Sequence, residues 1–276
     1  MSNRIDKEIV NRNLVASRSK VQELISNGFV ECNGKIIKKS SFQVNESDEI
    51  KILENETLKY VSRGGLKLEK AINKFKIDMN NKVVMDIGSS TGGFTDCALR
   101  HGAKKVIAID VGTDVMDKSL RLDNRIELHE KTNIKNLEHK YFENIDIITT
   151  DVSFISIKKI IDKIYQEQIK VDLICLIKPQ FECGKELADK YKGIILNKSI
   201  HISIIKDIIN YFKQKDFYIK ALDSSPIRGG DGNIEYVSYF SNKDNGIKSI
   251  NIEEIVKKAF KEQKANRKVV SKCYII

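Results

Sequence analysis

No CxxC pair, no histidine cluster and no long apolar run occurs in this sequence of 276 residues. Five cysteines are scattered along it, at Cys32, Cys97, Cys175, Cys183 and Cys273. That spacing argues against a zinc ribbon or a disulfide scaffold and fits reduced thiols in a cytoplasmic protein. A membrane-spanning helix needs about 20 consecutive apolar residues, and no segment supplies them. The opening residues, 1–8, hold no apolar signal core, so no secretion signal is expected. Proline is nearly absent: Pro179 and Pro226 are the only two, and both lie in polar, glycine-containing stretches.

What the chain has in excess is positive charge, with 48 Lys and Arg against 38 Asp and Glu, a net +10. Such a surplus favours a polyanion as partner, either nucleic acid or an anionic membrane surface. A compositional bias is the alternative source, because Lys, Ile and Asn are abundant together. The length suits one large domain with a small companion better than two equal ones.

The spacing of apolar residues sets the organisation. Ile5, Ile9 and Val10 share a helical face, with Arg4, Lys7 and Arg12 outside it. A second helix is expected from Ser19, which has capping-box spacing, to the stop at Asn27-Gly28. Residues 29–32 and 35–37 read as strands joined by a type I′ turn at Asn33-Gly34, and residues 49–53 as a further extended stretch. This piece is too small to bury much apolar surface and reads as an appended binding module. After a charged connector, residues 54–61, an amphipathic helix is expected within residues 62–81, carried by Leu66, Leu68, Ala71, Ile72 and Phe75. From Lys82 onward short β-branched runs alternate with helical patterns, at residues 83–85, 106–109, 126–128, 145–148, 173–177, 217–219 and 236–240. The alternation predicts a doubly wound α/β domain: a parallel sheet with helices on both faces. A basic helix, residues 252–268, closes the pattern.

The strongest chemical signal is Asp86-Ile87-Gly88-Ser89-Ser90-Thr91-Gly92-Gly93-Phe94-Thr95, which follows the first of these strands and opens a helix. Glycine there lets the backbone turn sharply and approach a ligand with no Cβ in the way. Asp110 ends the next strand, 24 residues after Asp86, where a carboxylate can bind both hydroxyls of a ribose. Together they describe a nucleoside cofactor site. The glycine spacing does not match the GxGxxG dinucleotide pattern, and Asp86 would repel a pyrophosphate. A cationic sulfonium cofactor, S-adenosylmethionine, fits better. Asp151 and Lys178 end two later strands, Glu235 starts one, and Arg63 and Lys67 flank a glycine bend before a helix.

Lys67, Asp151, Lys178 and Glu235 match, in order and context, the Lys-Asp-Lys-Glu tetrad of FtsJ-like RNA ribose 2′-O-methyltransferases. The segments SRGGLKL, DIGSSTGGFTDCALRHGA, DVSFIS, LIKPQFE and SPIRGGDGNIEY resemble those of the TlyA family of bacterial rRNA methyltransferases, often labelled haemolysin A. Residues 4–53 resemble an S4 RNA-binding domain. The resemblance implies an S4-like domain at 1–57, a linker at 58–63 and, at 64–276, an FtsJ-like Rossmann methyltransferase domain ending in the basic helix. It implies 2′-O-methylation of cytidines in small- or large-subunit rRNA, or both, with S-adenosylmethionine and no metal, by a cytoplasmic monomer with no membrane partner. The tetrad would be catalytic. Asp86, Gly88, Ser89, Ser90, Gly92, Gly93, Phe94, Asp110, Val111, Asn133 and Asp151 would hold the cofactor. Arg4, Arg12, Arg18, Ser19, Lys20 and Arg63 would bind RNA. One departure is Leu58-Lys59-Tyr60-Val61, where some relatives carry Arg-x-Trp-Val.

Methyl transfer to a ribose hydroxyl is an in-line displacement, which places three demands on the site: alignment, proton removal and charge stabilisation. As an ammonium, Lys178 would stabilise the developing alkoxide; as a free amine it would take the proton. Asp151 would orient it, and Glu235 would position Lys67 or the ribose. Three other readings compete, of which a nicotinamide oxidoreductase is opposed by the glycine spacing. Another is an RNA-binding assembly factor with a silent catalytic domain, which the intact tetrad opposes. The third is a membrane-lytic protein, which the acids Glu253, Glu254 and Glu262 in the tail helix oppose.

Overall fold

The computed structural model describes residues 2–15, 17–53, 59–229, 232–246 and 248–272. The chain divides into two units, Met1–Lys59 and Tyr60–Ile276. Most of the expected connector, at 54–58, lies outside the described residues.

In the first unit, helices Ile5–Asn11 and Arg18–Ser26 pack with a three-stranded antiparallel sheet of order Lys35–Ile36, Val30–Cys32, Ile50–Ile52. Ile5, Ile9, Val21, Leu24, Ile25 and Val30 are buried between them. Asn33 and Gly34 both take positive φ, 48° and 78°, as a type I′ turn requires. The second helix starts one residue before Ser19. The hydroxyl of Ser17 accepts from the Lys20 amide at 3.4 Å, so Ser17 occupies the capping place expected for Ser19. Two charged side chains are spent internally. The buried Asp6 carboxylate accepts from Arg4, Arg18 and Gln22 at 2.9–3.1 Å. Arg12 donates to Glu8 and to the backbone carbonyls of Asn45, Glu46 and Asp48, which ties that loop to the first helix.

The second unit is built on one sheet. Its strands are β1 (Val83–Ile87), β2 (Lys105–Ile109), β3 (Ile126–His129), β4 (Ile147–Thr150), β5 (Asp172–Ile177), β6 (Tyr218–Ser224) and β7 (Tyr236–Ser241), in the order β6-β7-β5-β4-β1-β2-β3. Strands β1 to β5 are parallel, as expected, but β7 runs antiparallel to both β5 and β6. The sheet is therefore mixed. The reason is local: among the described residues no helix intervenes between β6 and β7, and a parallel return needs a crossover of about a dozen residues or more.

Side chains alternate between the two faces. Met85, Ile87, Ile107, Ile109, Leu173 and Ile177 meet helices α3 (Ile157–Gln166), α4 (Lys198–Lys213) and α5 (Ile252–Lys272). Val84, Val106, Ala108, Ile174 and Leu176 meet α1 (Gly64–Phe75) and α2 (Gly93–Arg100). Strands covered on both sides are why these segments read as continuous β-branched runs. Helix α1 falls within the expected 62–81 and stops at Phe75, because Lys76 adopts a left-handed conformation with φ 58°.

Strand order reverses on either side of β1, which opens a crevice at the carboxyl edge. Asp86 lies inside the wall of that crevice. Its carboxylate is buried and accepts from Thr95 of α2 at 2.7 Å and from Thr149 of β4 at 2.9 Å. Burial raises its pKa to about 6, against the lowering effect of the two hydroxyls. A raised folded-state value means the ionised form opposes folding, so stability falls as pH climbs from about 4 through 6. Two pKa units correspond to on the order of 3 kcal/mol at neutral pH. Asp86→Asn should therefore melt above the parent protein at pH 8, with the gain shrinking by pH 5. Melting curves at the two pH values check this, and a gain independent of pH would contradict it.

Candidate active site

The site begins with backbones that approach closely. Gly93, at the start of α2, has no room for a side chain: a Cβ would strike Ser62 Oγ and lie 2.9 Å from the Gly65 amide nitrogen. At Gly65 a Cβ would enter the ring of Tyr60, which is buried. Asp96 of α2 accepts from the Val61 amide at 2.9 Å. These contacts bring the first turn of α1, and Lys67 on it, to the carboxyl edge of the sheet.

There four charges meet. Lys67 Nζ lies 3.0 Å from Asp151 Oδ2 and 2.8 Å from Glu235 Oε2. Lys178 Nζ lies 2.6 Å from Asp151 Oδ1 and donates to Ser153 Oγ at 3.0 Å. Gln180 Nε2 donates to Glu235 Oε1 at 3.1 Å. Asp151 follows β4 and Lys178 follows β5; Glu235 precedes β7 because that antiparallel strand starts at the same edge. Burial alone would lower the Lys67 pKa, but the pull of Asp151 and Glu235 holds it above the ordinary lysine value. Burial alone would raise the Asp151 carboxyl; Lys67 and Lys178 outweigh that and keep it below the usual carboxylate range. Lys67 is thus a fixed ammonium and Asp151 a fixed carboxylate at neutral pH.

The residues expected to hold a cofactor divide into two groups. Asp110 accepts from the amides of Ser90 and Gly112, both at 2.7 Å, which fixes its carboxylate at the end of β2 beside the 71% exposed Val111. The hydroxyl of Ser89 is buried and has no hydrogen-bond partner among the described residues. An oriented carboxylate and an orphaned hydroxyl at the mouth of the glycine loop fit a nucleoside with a ribose diol. The glycines, however, are needed for packing within the protein. A Cβ at Gly92 would collide with Leu120, and one at Gly88 would lie 2.9 Å from Val152 Cγ1; both residues have positive φ. Phe94 is buried in the core beneath α2, so its ring is no part of an open cofactor wall. Asp86 is masked by its two threonines, and Asn133 caps a short turn by accepting from the Lys135 amide at 3.1 Å.

The RNA-binding expectation also changes. The guanidinium of Arg12 is engaged with four oxygens of its own unit, so its donors serve that unit's own loop. Arg4 and Arg18 pair with Asp6 yet keep exposed edges. Arg63 stands at the start of α1. The side chain of Ser19, and those of the tail helix beyond Glu262, fall outside the described residues.

Several contributors escaped sequence reasoning. Phe154 is 91% exposed with φ 63°, its ring 5.1 Å from that of Phe181, over which Lys178 Nζ sits at 5.6 Å. Buried Asn233 accepts from the Ile195 amide at 3.0 Å and donates to the Gly193 carbonyl at 2.8 Å. His201 Nε2 donates to the Ile195 carbonyl at 2.9 Å, which leaves Nδ1 to accept from Tyr236 Oη at 2.8 Å. Burial lowers this histidine to about 4, so it is neutral in that bridge. Phe154, Gln180 and Asn233 lie inside the segments DVSFIS, LIKPQFE and SPIRGGDGNIEY, where sequence reasoning gave them no role of their own.

Among the described residues no group of His, Cys, Asp and Glu is arranged to hold a metal ion. Among them, too, no helix is long and apolar enough to cross a membrane.

Comparison with known proteins agrees with this geometry. The FtsJ-like methyltransferase family model matches residues 60–242, and the S4 domain model matches residues 3–50. The chain is 42% identical over 240 residues to hemolysin A of Brachyspira hyodysenteriae, covering 86% of this chain and 99% of the relative. It is 35% identical over 247 residues to the 23S rRNA (cytidine-2′-O)-methyltransferase TlyA of Campylobacter jejuni, covering 84% and 96%. A solved hemolysin-named structure from Streptococcus thermophilus superposes with a TM-score of 0.77 at 35% identity, over 97% of this chain and 98% of the other. A fold, a charge tetrad and relatives aligned over nearly their full length point the same way: this chain belongs to the FtsJ-like methyltransferases that carry an N-terminal S4 domain.

Proposed function

We propose that this protein transfers a methyl group from S-adenosylmethionine to the 2′-hydroxyl of a cytidine in ribosomal RNA. The observation that carries the proposal is the contact chain Lys178–Asp151–Lys67–Glu235, on the same sheet edge as the backbone-held carboxylate of Asp110. When bound, S-adenosylmethionine supplies an activated methyl group and therefore needs no metal beside it.

The protein's own groups do the rest. Asp110 and Ser89 orient the nucleoside part of the cofactor. The ion pair with Asp151 and the hydrogen bond to Ser153 hold the Lys178 ammonium at the carboxyl edge, where the substrate hydroxyl would meet it. In that position Lys178 lowers the barrier by stabilising the oxygen while it takes the methyl from the sulfonium, which leaves as a neutral thioether, and its proton passes to solvent water. Lys67 takes no proton; clamped between two carboxylates, it keeps Asp151 from drifting and balances the charge of Glu235. The exposed ring of Phe154 offers a stacking surface for the base of a nucleotide drawn out of its helix. Arg4 and Arg18 of the S4-like unit, with Lys20 and Arg63, supply contacts to phosphate, which give affinity without sequence information. All four tetrad groups come from one chain, which supports a monomer as the working unit. An rRNA substrate implies work in the cytoplasm.

Lys178→Ala should lower single-turnover methylation of ribosomal subunits by roughly 100-fold or more while S-adenosylmethionine affinity, read by calorimetry, stays within a few-fold. Near-parental turnover would remove Lys178 from the chemistry. Mapping of 2′-O-methylated nucleosides in both rRNAs, from cells with and without the protein, tests the reaction itself; unchanged maps would overturn it.

Phe154→Ala should weaken productive RNA binding by roughly 5- to 100-fold, the range for losing one base–aromatic stack, and leave cofactor affinity intact. Equal KM values for RNA would exclude the stacking role. Arg12→Ala should behave differently from the other arginines. It frees three carbonyls and Glu8, so hydrogen exchange at residues 45–48 should quicken while the salt slope of RNA binding is unchanged. A shallower slope would restore Arg12 as a phosphate contact.

A further inference from the structure

We infer that Gln180 reads the base of the target nucleotide by accepting a hydrogen bond from its exocyclic amine. The inference rests on the methyltransferase reading above and deepens it.

Gln180 lies on the helical turn Pro179–Glu182 that follows β5. Its Nε2 donates to Glu235 Oε1 at 3.1 Å. A carboxylate only accepts, so chemistry fixes which end of the amide faces Glu235. Oε1 is therefore held as an acceptor on the other side. That oxygen is shielded from solvent and has no hydrogen-bond partner among the described residues. A buried acceptor left unpaired is unfavourable and calls for an explanation. The amide is also clamped from behind: a Cβ at Gly229 would strike Glu235 Oε1 and lie 3.5 Å from Gln180 Nε2.

Position on the sheet says which ligand supplies the donor. Along the carboxyl edge the order is Glu235 at β7, Lys178 at β5, Asp151 at β4, the glycine loop at β1 and Asp110 at β2. The nucleoside pocket for the cofactor is at the β1–β2 end. Gln180 and Glu235 are at the opposite end, beyond Lys178, on the side left to the nucleotide being methylated. Within an RNA chain the 3′ and 5′ oxygens are esterified. The only sugar donor is the 2′-hydroxyl, and it is committed to Lys178. Within the target nucleotide, the remaining donor for Gln180 is on the base. Among pyrimidines, cytosine carries an amine where uracil carries a carbonyl oxygen. A fixed acceptor at that place favours cytosine and opposes uracil, because two acceptors would face each other in a site shielded from water.

The test uses the full-length protein and an rRNA fragment spanning the mapped site. The fragment is synthesised with cytidine, with its 4-desamino analogue (pyrimidin-2-one riboside), or with uridine at the target position. For the parent protein, kcat/KM should fall roughly 10-fold or more when the amine is removed, and further with uridine. Gln180→Met should lose a similar factor on cytidine and nothing more on the desamino fragment. Equal rates of the parent on cytidine and desamino RNA would overturn the inference with no variant needed. So would a Gln180→Met protein that discriminates as well as its parent, since a residue that merely positions Glu235 slows every substrate alike. Calorimetric binding of S-adenosylmethionine confirms that the variant is folded. Failure of the parent to methylate even the cytidine fragment would sink the methyltransferase reading, and this inference with it.

Discussion

Two lysines and two carboxylates occupy one desolvated space, and their mutual neutralisation is the constraint on which the second unit depends. An unpaired charge in such a place is costly, and breaking a buried pair by removing one partner typically costs about 3–5 kcal/mol. Lys67 comes from α1, Asp151 from the end of β4, Lys178 from the end of β5 and Glu235 from the start of β7. No two of these are close in sequence. The charges are satisfied only when all four elements are in register, so completion of the fold and completion of the site are the same event.

The surrounding architecture serves that meeting. Gly64, Gly65 and Gly93 bring two helix starts together closely enough to deliver Lys67. Glu182, just beyond Gln180, accepts from Ser156 Oγ at 2.6 Å and from the Ile157 amide at 2.8 Å, so the turn after β5 also caps α3 after β4. Asn233 and the His201–Tyr236 pair pin residues 193–195 beside the strand that begins with Glu235 and Tyr236. Each link ties a polar side chain from one loop to the backbone or carboxylate of another. The loops that carry chemistry are therefore held by hydrogen bonds, while the strands beneath them are held by apolar burial.

Much of this was legible in the sequence, for identifiable reasons. Strands β1, β2, β4 and β5 carry apolar, largely β-branched runs because they are covered on both faces. The Asn33-Gly34 turn was readable because few dipeptides accept two positive φ values. What misled was any inference from residue type to direction. The glycines of the Asp86 loop read as room for a ligand, and the sequence did not show that Leu120, Val152 and Ser62 also press against them. Arg12 read as a surface cation, whereas three carbonyls claim it. A strand pattern carries no arrow, so the reversal of β7 depended on the missing helix before it. The tetrad was found through resemblance: charge at strand ends is common, and nothing in linear spacing reports that Lys67 and Glu235 meet. Gln180 and Asn233 act through contacts across long stretches of chain, which periodicity cannot encode.

The balance of the tetrad has an evolutionary corollary. With two positive and two negative groups in contact, an inherited change at any one position leaves a surplus charge behind. A lineage can leave this chemistry in one step, but the intermediate is penalised in stability as well as in activity. Drift through single neutral changes is closed at these four sites. The route back runs through restoring the original residue, or through exchanging an acid and a lysine as a pair.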